Sequence, residues 1–428
     1  MMLFRLQLLL IALLLSSPSI SQGAQDPSAP EGPRSFLLTA TNPANISRTQ
    51  EIISLDVDRV KVKYPSFNAK AFTVTCAGRP VPAQSEMGTG SGSHDQILML
   101  VSFAPNEKKI LEVTWVPDTV IAQKFPKLTQ AVLGMKTGYK KISGYYTGGR
   151  FVDVDSTTVP SDHFAHDALY RIEGPGWESE KIVYRYYLDS RNRNDIFGKK
   201  KDELVLQKLG VNDLVSNSME SYTKMLDWGM DIFKVGESLG IGSIAIWHDS
   251  KAMTVSDVRT VKCYVAENGP ILSGIYTKYL GWRVGKEEYD LYSHLSISAG
   301  SRLTKVDLKL VGEKADLCTG LAKHEDCDFM HSSSARGGTW AYIALYGKQS
   351  LAGDDLGIAV FYKAAECVRV TEDSLSRIVV FRPHEGRLTY YFGAAWQQEP
   401  GGIKNETEFR SYLERTLVRL DSPIEVEL

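Results

Sequence analysis

The densest run of chemistry-bearing side chains falls between Asp162 and Asp195. His163, His166, Tyr170, Arg171, Glu173, Trp177, Glu178, Lys181, Tyr184, Arg185, Asp189 and Arg191 all lie within it. Imidazole moves protons near neutral pH, phenols and carboxylates share that work, and guanidinium groups grip carboxylates at two points. On a hairpin, one face carrying them would be a polar, aromatic-rimmed cleft. Each residue also has a structural reading. Trp177 and Trp228 are large enough to be core residues, Arg185 with Asp189 or Glu173 makes an ion pair, and a histidine in a polar loop is often idle.

A second cluster, DWGMDIFKVGESLGIG, places Asp227, Trp228, Asp231 and Lys234 beside glycines. The lysine precedes the glycines and no strand-to-helix step follows, which argues against a nucleotide phosphate site. His331 and His384 sit in turns near arginines, and His331 is carried as a candidate substrate contact. The chain has no GxGxxG, P-loop lysine or HExxH pattern. The carboxylates of DWGMD and HEDCD do not follow a calcium-loop spacing. No cofactor is called for, and metal use stays open, a structural ion being compatible with those carboxylates.

These residues must be held by strands. FLLTATN, ISLDVDRVKVKYP, AFTVTC, ILMLVSFAP and ILEVTWVPD alternate apolar and polar positions, the period-two pattern of half-buried antiparallel strands. A short helix is expected near Pro126–Met135, and strands are expected to flank the Gly174-Pro175-Gly176 turn. Alternation puts Tyr184 and Tyr186 on one face and Arg185 and Tyr187 on the other. Residues 199–250 read as irregular apart from a helix-like KKDELVLQKLG. From DVRTVKCYVAEN to GRLTYYFGAAW, long strands follow one another with short turns, as in two large sheets packed face to face. Asn405 and Glu408 cap a helix carrying Phe409, Leu413 and Leu417 on one face. The expected fold is an all-β, large antiparallel β-sandwich with an N-terminal β-rich part and few helices.

Lys plus Arg number 49 and Asp plus Glu 51 among 428 residues, a net charge of -2. Such a balance argues against a nucleic-acid partner. The start, a basic Arg5 followed by LQLLLIALLL and small residues up to Ala24, reads as a cleaved secretory signal too short to span a membrane. The mature protein is therefore expected to be secreted or periplasmic, with no membrane insertion after cleavage. The expected organisation is signal 1–24, flexible linker 25–34, β-rich part 35–120 and large sandwich 121–428. Of the five cysteines, Cys318 and Cys327 enclose a polar loop and are the best pair for a local disulfide.

The string HDALYRIEGPGWESEKIVYRYYLDSRNRNDIFGKK, followed by DWGMDIFKVGESLGIGSI, resembles the signature of a family of exported bacterial proteins of formerly unknown function. Members come from polysaccharide-utilisation clusters and include an oligosaccharide dehydratase of ulvan degradation. The C-terminal GRLTYYFGAAWQQEPGGIKNETEFRSYLERTL is similar to the end of galactose-mutarotase-like supersandwich domains. The resemblance implies a carbon–oxygen lyase acting on a uronate-containing oligosaccharide. A base would take the C5 proton, an acid would protonate the oxygen leaving C4, and cations would hold the carboxylate. It implies His166 as base or acid, Tyr170 or Tyr184 as its partner, and Arg171 or Arg185 as the carboxylate clamp. Trp177 or Trp228 would stack on a sugar, with Glu178, Lys181, Arg191, Lys234 and His331 as further contacts. A lyase expelling a sugar, a mutarotase-like isomerase and a non-catalytic glycan-binding protein are the alternatives.

Overall fold

The computed structural model describes residues 34–86, 88, 95–116, 125–211, 220–332 and 338–428. The expected signal segment lies outside them. Among the described residues, no helix is long and apolar enough to cross a membrane.

The alternating sequences form antiparallel sheets as expected, except in ISLDVDRVKVKYP, where the strand ends at Asp56 and Val57–Lys63 is a short α-helix capped by the Asp56 side chain on the Arg59 amide. A nine-stranded sheet runs in the order Ser156–Thr158, Val258–Asn268, Leu272–Val284, Glu287–Ser298, Leu303–Val311, Arg387–Trp396, Leu356–Lys363, Trp340–Gly347, Cys327–His331. Two five-stranded sheets share a core with it. One contains Thr129–Val132, Gly176–Ser179, Ile182–Tyr186, Asn194–Lys199 and Gly229–Asp231; the other includes Ala245–His248, Leu317–Ala322 and Ser376–Phe381. Ile275, Leu295, Ile343 and Phe392 of the large sheet meet Trp177, Ile196, Leu317 and Val379 in that core. Burial of such apolar surface is the main force holding the layers together.

The run WAYIALYG is buried on both faces, so its period is hidden. Ile343 and Leu345 face the inter-sheet core, while Tyr342, Ala344 and Tyr346 lie under the helix Glu406–Asp421. That helix begins as expected: the Asn405 side chain accepts from the Glu408 amide, and Phe409, Leu413 and Leu417 are buried.

A smaller pair of sheets gathers Arg34–Thr41, Phe72–Cys76 and Lys108–Trp115 on one side and Arg48–Asp56, Ala83–Glu86 and Gln96–Phe103 on the other. They close on their own core of Leu38, Val74, Ile97 and Val113. The last strand, Glu425–Glu427, pairs with Arg34–Thr41.

Four further local expectations are corrected. Pro126–Met135 holds no helix: Thr129–Val132 is a strand and Gly134–Thr137 begins another. The hairpin turns at Glu180 and Lys181, between Gly176–Ser179 and Ile182–Tyr186, and not at Gly174-Pro175-Gly176. Gly174 instead lies against the Tyr186 carbonyl, where a β-carbon would come within 2.0 Å of that oxygen. Only Leu206–Lys208 of KKDELVLQKLG is helical, as a single 3-10 turn. All five cysteines are free. Cys318 and Cys327 lie on strands of different sheets, so the expected bridge is absent.

Candidate functional site

The loop from Pro160 to Glu173 is fastened to the neighbouring chain by main-chain bonds. The Lys136 amide donates to the Leu169 carbonyl, the Tyr146 amide to that of Asp167, and the Arg171 amide to that of Gly134. Within the loop His166, Ala168 and Glu173 take left-handed backbone angles, with φ of 65°, 67° and 64°. Such conformations are unfavourable for residues with a β-carbon and persist only where their surroundings enforce them. All three line one pocket of about 200 Å³, together with Phe151, His163, Asp167, Tyr170, Arg171, Asp189 and Tyr222.

Two histidine–carboxylate pairs stand at this pocket. His163 Nδ1 lies 2.7 Å from Asp167 Oδ2, and Asp167 also accepts from the amides of Phe164 and Leu169. Both side chains are nearly inaccessible, at 4 % and 1 %. With Nδ1–H donated to Asp167, the neutral ring keeps its lone pair on Nε2. That nitrogen is buried and has no hydrogen-bond partner among the described residues. The second pair is His166 Nδ1 to Glu173 Oε1, at 2.8 Å, with half of the His166 side chain exposed. The hydrogen bond to Glu173 raises the His166 pKa above its ordinary value. Burial alone would raise the Glu173 carboxyl, but His166, Arg185 and Arg191 outweigh it and hold it at about 2.

Behind Glu173 lies a buried charge network. Arg191 reaches Glu173 at 2.7 Å and Asp189 at 2.6 Å, and it stacks over the Tyr187 ring. Arg185 reaches Asp195 at 2.7 Å, Asp231 at 2.9 Å and Glu173 at 3.3 Å. Its guanidinium is flanked by the rings of Tyr187, Phe197 and Tyr222. Burial and the neighbouring Asp195 push the Asp231 carboxyl well up.

Of the residues expected to act, His166, Tyr170 and Arg171 are brought together at the pocket. Burial raises the Tyr170 phenol, so it stays protonated at neutral pH; its oxygen lies 3.1 Å from Thr157 Oγ1. Arg171 reaches Asp153 at 3.2 Å. Arg185 and Arg191 support Glu173 from behind.

The other expected residues do not reach the pocket. Tyr184 is fully buried on the opposite face of its strand, donating to the Arg302 carbonyl and accepting from the Ala394 amide. Trp177 is wholly buried between sheets with its indole donating to Thr304, so it has no face to offer a sugar. Glu178 is buried against Lys199 and the amides of Val205 and Leu206. Lys181 pairs with Asp202, and Trp228 packs with Phe197. Lys234 is exposed, and His331 is exposed on the edge strand Cys327–His331 of the large sheet.

His163 and Asp167 are what a reading of isolated residues undervalues, because their pairing depends on the folded path of the loop. Gly236-Glu237-Ser238-Leu239-Gly240 matches the GxSxG spacing of a serine nucleophile. Ser238 Oγ, however, donates to the Val235 carbonyl and accepts from the Gly240 amide, closing its own turn.

"Uncharacterized protein P7" of Formosa agariphila is 21 % identical over 309 residues, covering 65 % of this chain and 72 % of that protein. Two Enterococcus faecalis structures are distantly similar, each at 8 % identity over 92 % of this chain. They are a protein in glycosyl hydrolase family 38, with a TM-score of 0.45, and an alpha-mannosidase, with a TM-score of 0.42. The chain spans about half the length of these two, 47 % and 46 %. The sequence model of one family matches residues 40–426, nearly the whole chain, and the protein thus belongs to the family described as Domain of unknown function (DUF4861).

Proposed function

We propose that the chain is an exported carbohydrate-active enzyme that eliminates water, or a glycosyl group, from a uronate-containing oligosaccharide. The observation that carries this reading is the convergence of His163, His166, Tyr170 and Arg171 on one pocket. It provides a partnered histidine with a free nitrogen, a histidine biased toward its charged form, a protonated phenol and a guanidinium.

In this reading the uronate carboxylate lies toward Arg171, which supports the charge that builds on it as the C5–H bond breaks. His163 Nε2 takes the C5 proton, with Asp167 holding the ring in the right tautomer and stabilising the imidazolium that forms. The electron pair of the C–H bond becomes the C4–C5 double bond, and the C4–O bond breaks. His166, kept protonated by Glu173, or the Tyr170 phenol gives a proton to the leaving oxygen. No metal or cofactor enters this sequence of steps.

The test is to incubate the mature protein with saturated and unsaturated uronate oligosaccharides and follow ultraviolet absorbance and product mass. A rise in absorbance with loss of one water from an intact chain is expected for dehydration, and a rise with shorter products for a lyase. No change in either signal across ulvan- and pectin-derived panels would sink the elimination reading.

A further inference from the structure

Among the described residues, the aromatic side chains exposed by more than a third are Tyr139, Tyr145 and Phe164, at 39 %, 43 % and 38 %. Two of them are grouped, while Tyr139 lies on the other face of the hairpin, because neighbouring strand residues point opposite ways. Tyr145 and Phe164 meet edge to face at 5.2 Å, and Tyr139 meets the buried Tyr146 at 4.6 Å. Tyr145 and Tyr146 belong to the strand Tyr145–Thr147, which pairs with Lys140–Ile142. That hairpin is bonded to the pocket loop through the Tyr146 amide and the Asp167 carbonyl, and Phe164 lies in the loop between the pocket residues His163 and His166. Grouped apolar surface left open to water beside a polar pocket marks a contact surface.

The pocket itself is small. At about 200 Å³ it falls below the roughly 300–1,000 Å³ of sites that enclose a drug-sized ligand. It has room for one sugar ring, so the rest of any oligosaccharide must lie outside. The hairpin beside it is basic: from Gly138 to Val152 the sequence carries Lys140, Lys141 and Arg150 and no acidic residue. Lys140 and Arg150 are exposed, whereas Lys141 is paired with Asp162 at 2.5 Å. An aromatic face offers the apolar side of a pyranose a stacking surface, and the cations suit carboxylate or sulfate groups along a chain.

We propose that Tyr145 and Phe164 form a platform for the sugars that follow the ring held in the pocket, so that the ligand is an anionic oligosaccharide engaged from its end. This rests on the carbohydrate reading of the pocket. It goes further in assigning a second binding region and a dependence of affinity on chain length. Each sugar beyond the first is a candidate for the platform, so longer chains gain contacts that the ring in the pocket does not supply.

The experiment compares the full chain with Tyr145→Ala and Phe164→Ala, both exposed and outside the pocket lining. KM and kcat are measured for uronate-terminated di- and tetrasaccharides, with calorimetric affinities for the same ligands. Each substitution is expected to raise KM and Kd for the tetrasaccharide roughly threefold to tenfold, with a smaller effect on the disaccharide, leaving kcat unchanged. Unchanged tetrasaccharide constants in both variants, with an active or binding wild type, overturn the platform while the pocket reading stands. So does a change of oligomeric state on Phe164→Ala without a change in sugar affinity, which would make the patch a contact between copies. A wild type that neither binds nor converts any uronate ligand overturns the carbohydrate reading itself, and the platform with it.

Discussion

Glu173 is the residue on which the site's charges converge, since His166, Arg185 and Arg191 all reach it. Its carboxyl is held at about 2 in place of its ordinary 4.5. A depressed carboxyl contributes stability above its unfolded value, lost as pH falls through the folded one. The acid limb of unfolding between about pH 4.5 and 2 should therefore be steeper in the wild type than in Glu173→Gln, measured by urea midpoints across that range. His166 runs the other way: a raised histidine contributes below its unfolded pKa of 6.5 and loses that contribution as pH rises through the folded value. In Glu173→Gln the His166 titration should move down toward the ordinary histidine value, which an NMR pH titration of its ring protons would show. Glu178 and Lys199 form a different kind of pair, both side chains wholly inaccessible at 2.7 Å. Lys199→Met leaves a buried carboxylate without its cation and should cost about 3–5 kcal/mol in urea unfolding. Lys199→Met combined with Glu178→Gln should recover part of that loss.

At the scale of elements, the helix Glu406–Asp421 separates two kinds of contribution. Asn405→Ala removes one capping acceptor and should lower stability by about 1 kcal/mol. Phe409→Ala removes a ring that is fully buried and lies against Gly357, and should cost about 3–5 kcal/mol. A thermal denaturation series in which the two losses are equal would contradict this view of the helix as a lid on the sheet's outer face. The helix was legible in the sequence because its cap and its apolar spacing are both local. The alternation that separates Tyr184 from Arg185 was legible for the same reason, and the structure keeps them on opposite faces. What alternation leaves open is which face meets the other sheet. Trp177 and Tyr184 look like ligand contacts in sequence because they stand among charged residues, yet their face is the one that packs on Thr304 and Phe392. Likewise, His166 and Arg171 declare themselves by type. The Asp167–His163 pair needs a loop geometry, set by contacts with Gly134 and Tyr146, that no periodicity encodes.

Taken whole, the molecule joins its smaller pair of sheets to the nine-stranded sheet through a small apolar cluster of Leu98, Leu100, Ile271 and Ala299 and through polar contacts. Gln84, on the strand Ala83–Glu86, accepts from the amides of Ile271 and Leu272 and donates to the Leu272 carbonyl. Arg419 of the C-terminal helix reaches Glu51 at 2.7 Å. Beside Gln84, Glu86 faces Glu267, which is paired with His294 at 2.8 Å on the large sheet. Burial pushes the Glu86 carboxyl up from 4.5 to about 7, with Glu267 adding to the rise and Gln84 and His294 opposing it. The folded junction therefore holds a proton that the unfolded chain releases at lower pH. A raised acid makes the folded state bind more protons than the unfolded one, so stability falls as pH rises between the two values. The wild type should lose thermal stability at this junction from about pH 4.5 to about pH 7, the opposite sense to Glu173. Glu86→Gln keeps a hydrogen-bonding group without the ionisation. It should melt like the wild type at about pH 4 and higher than the wild type at about pH 8. Identical pH dependence in the two proteins would mean that the carboxyl stays solvated and that the junction carries no proton.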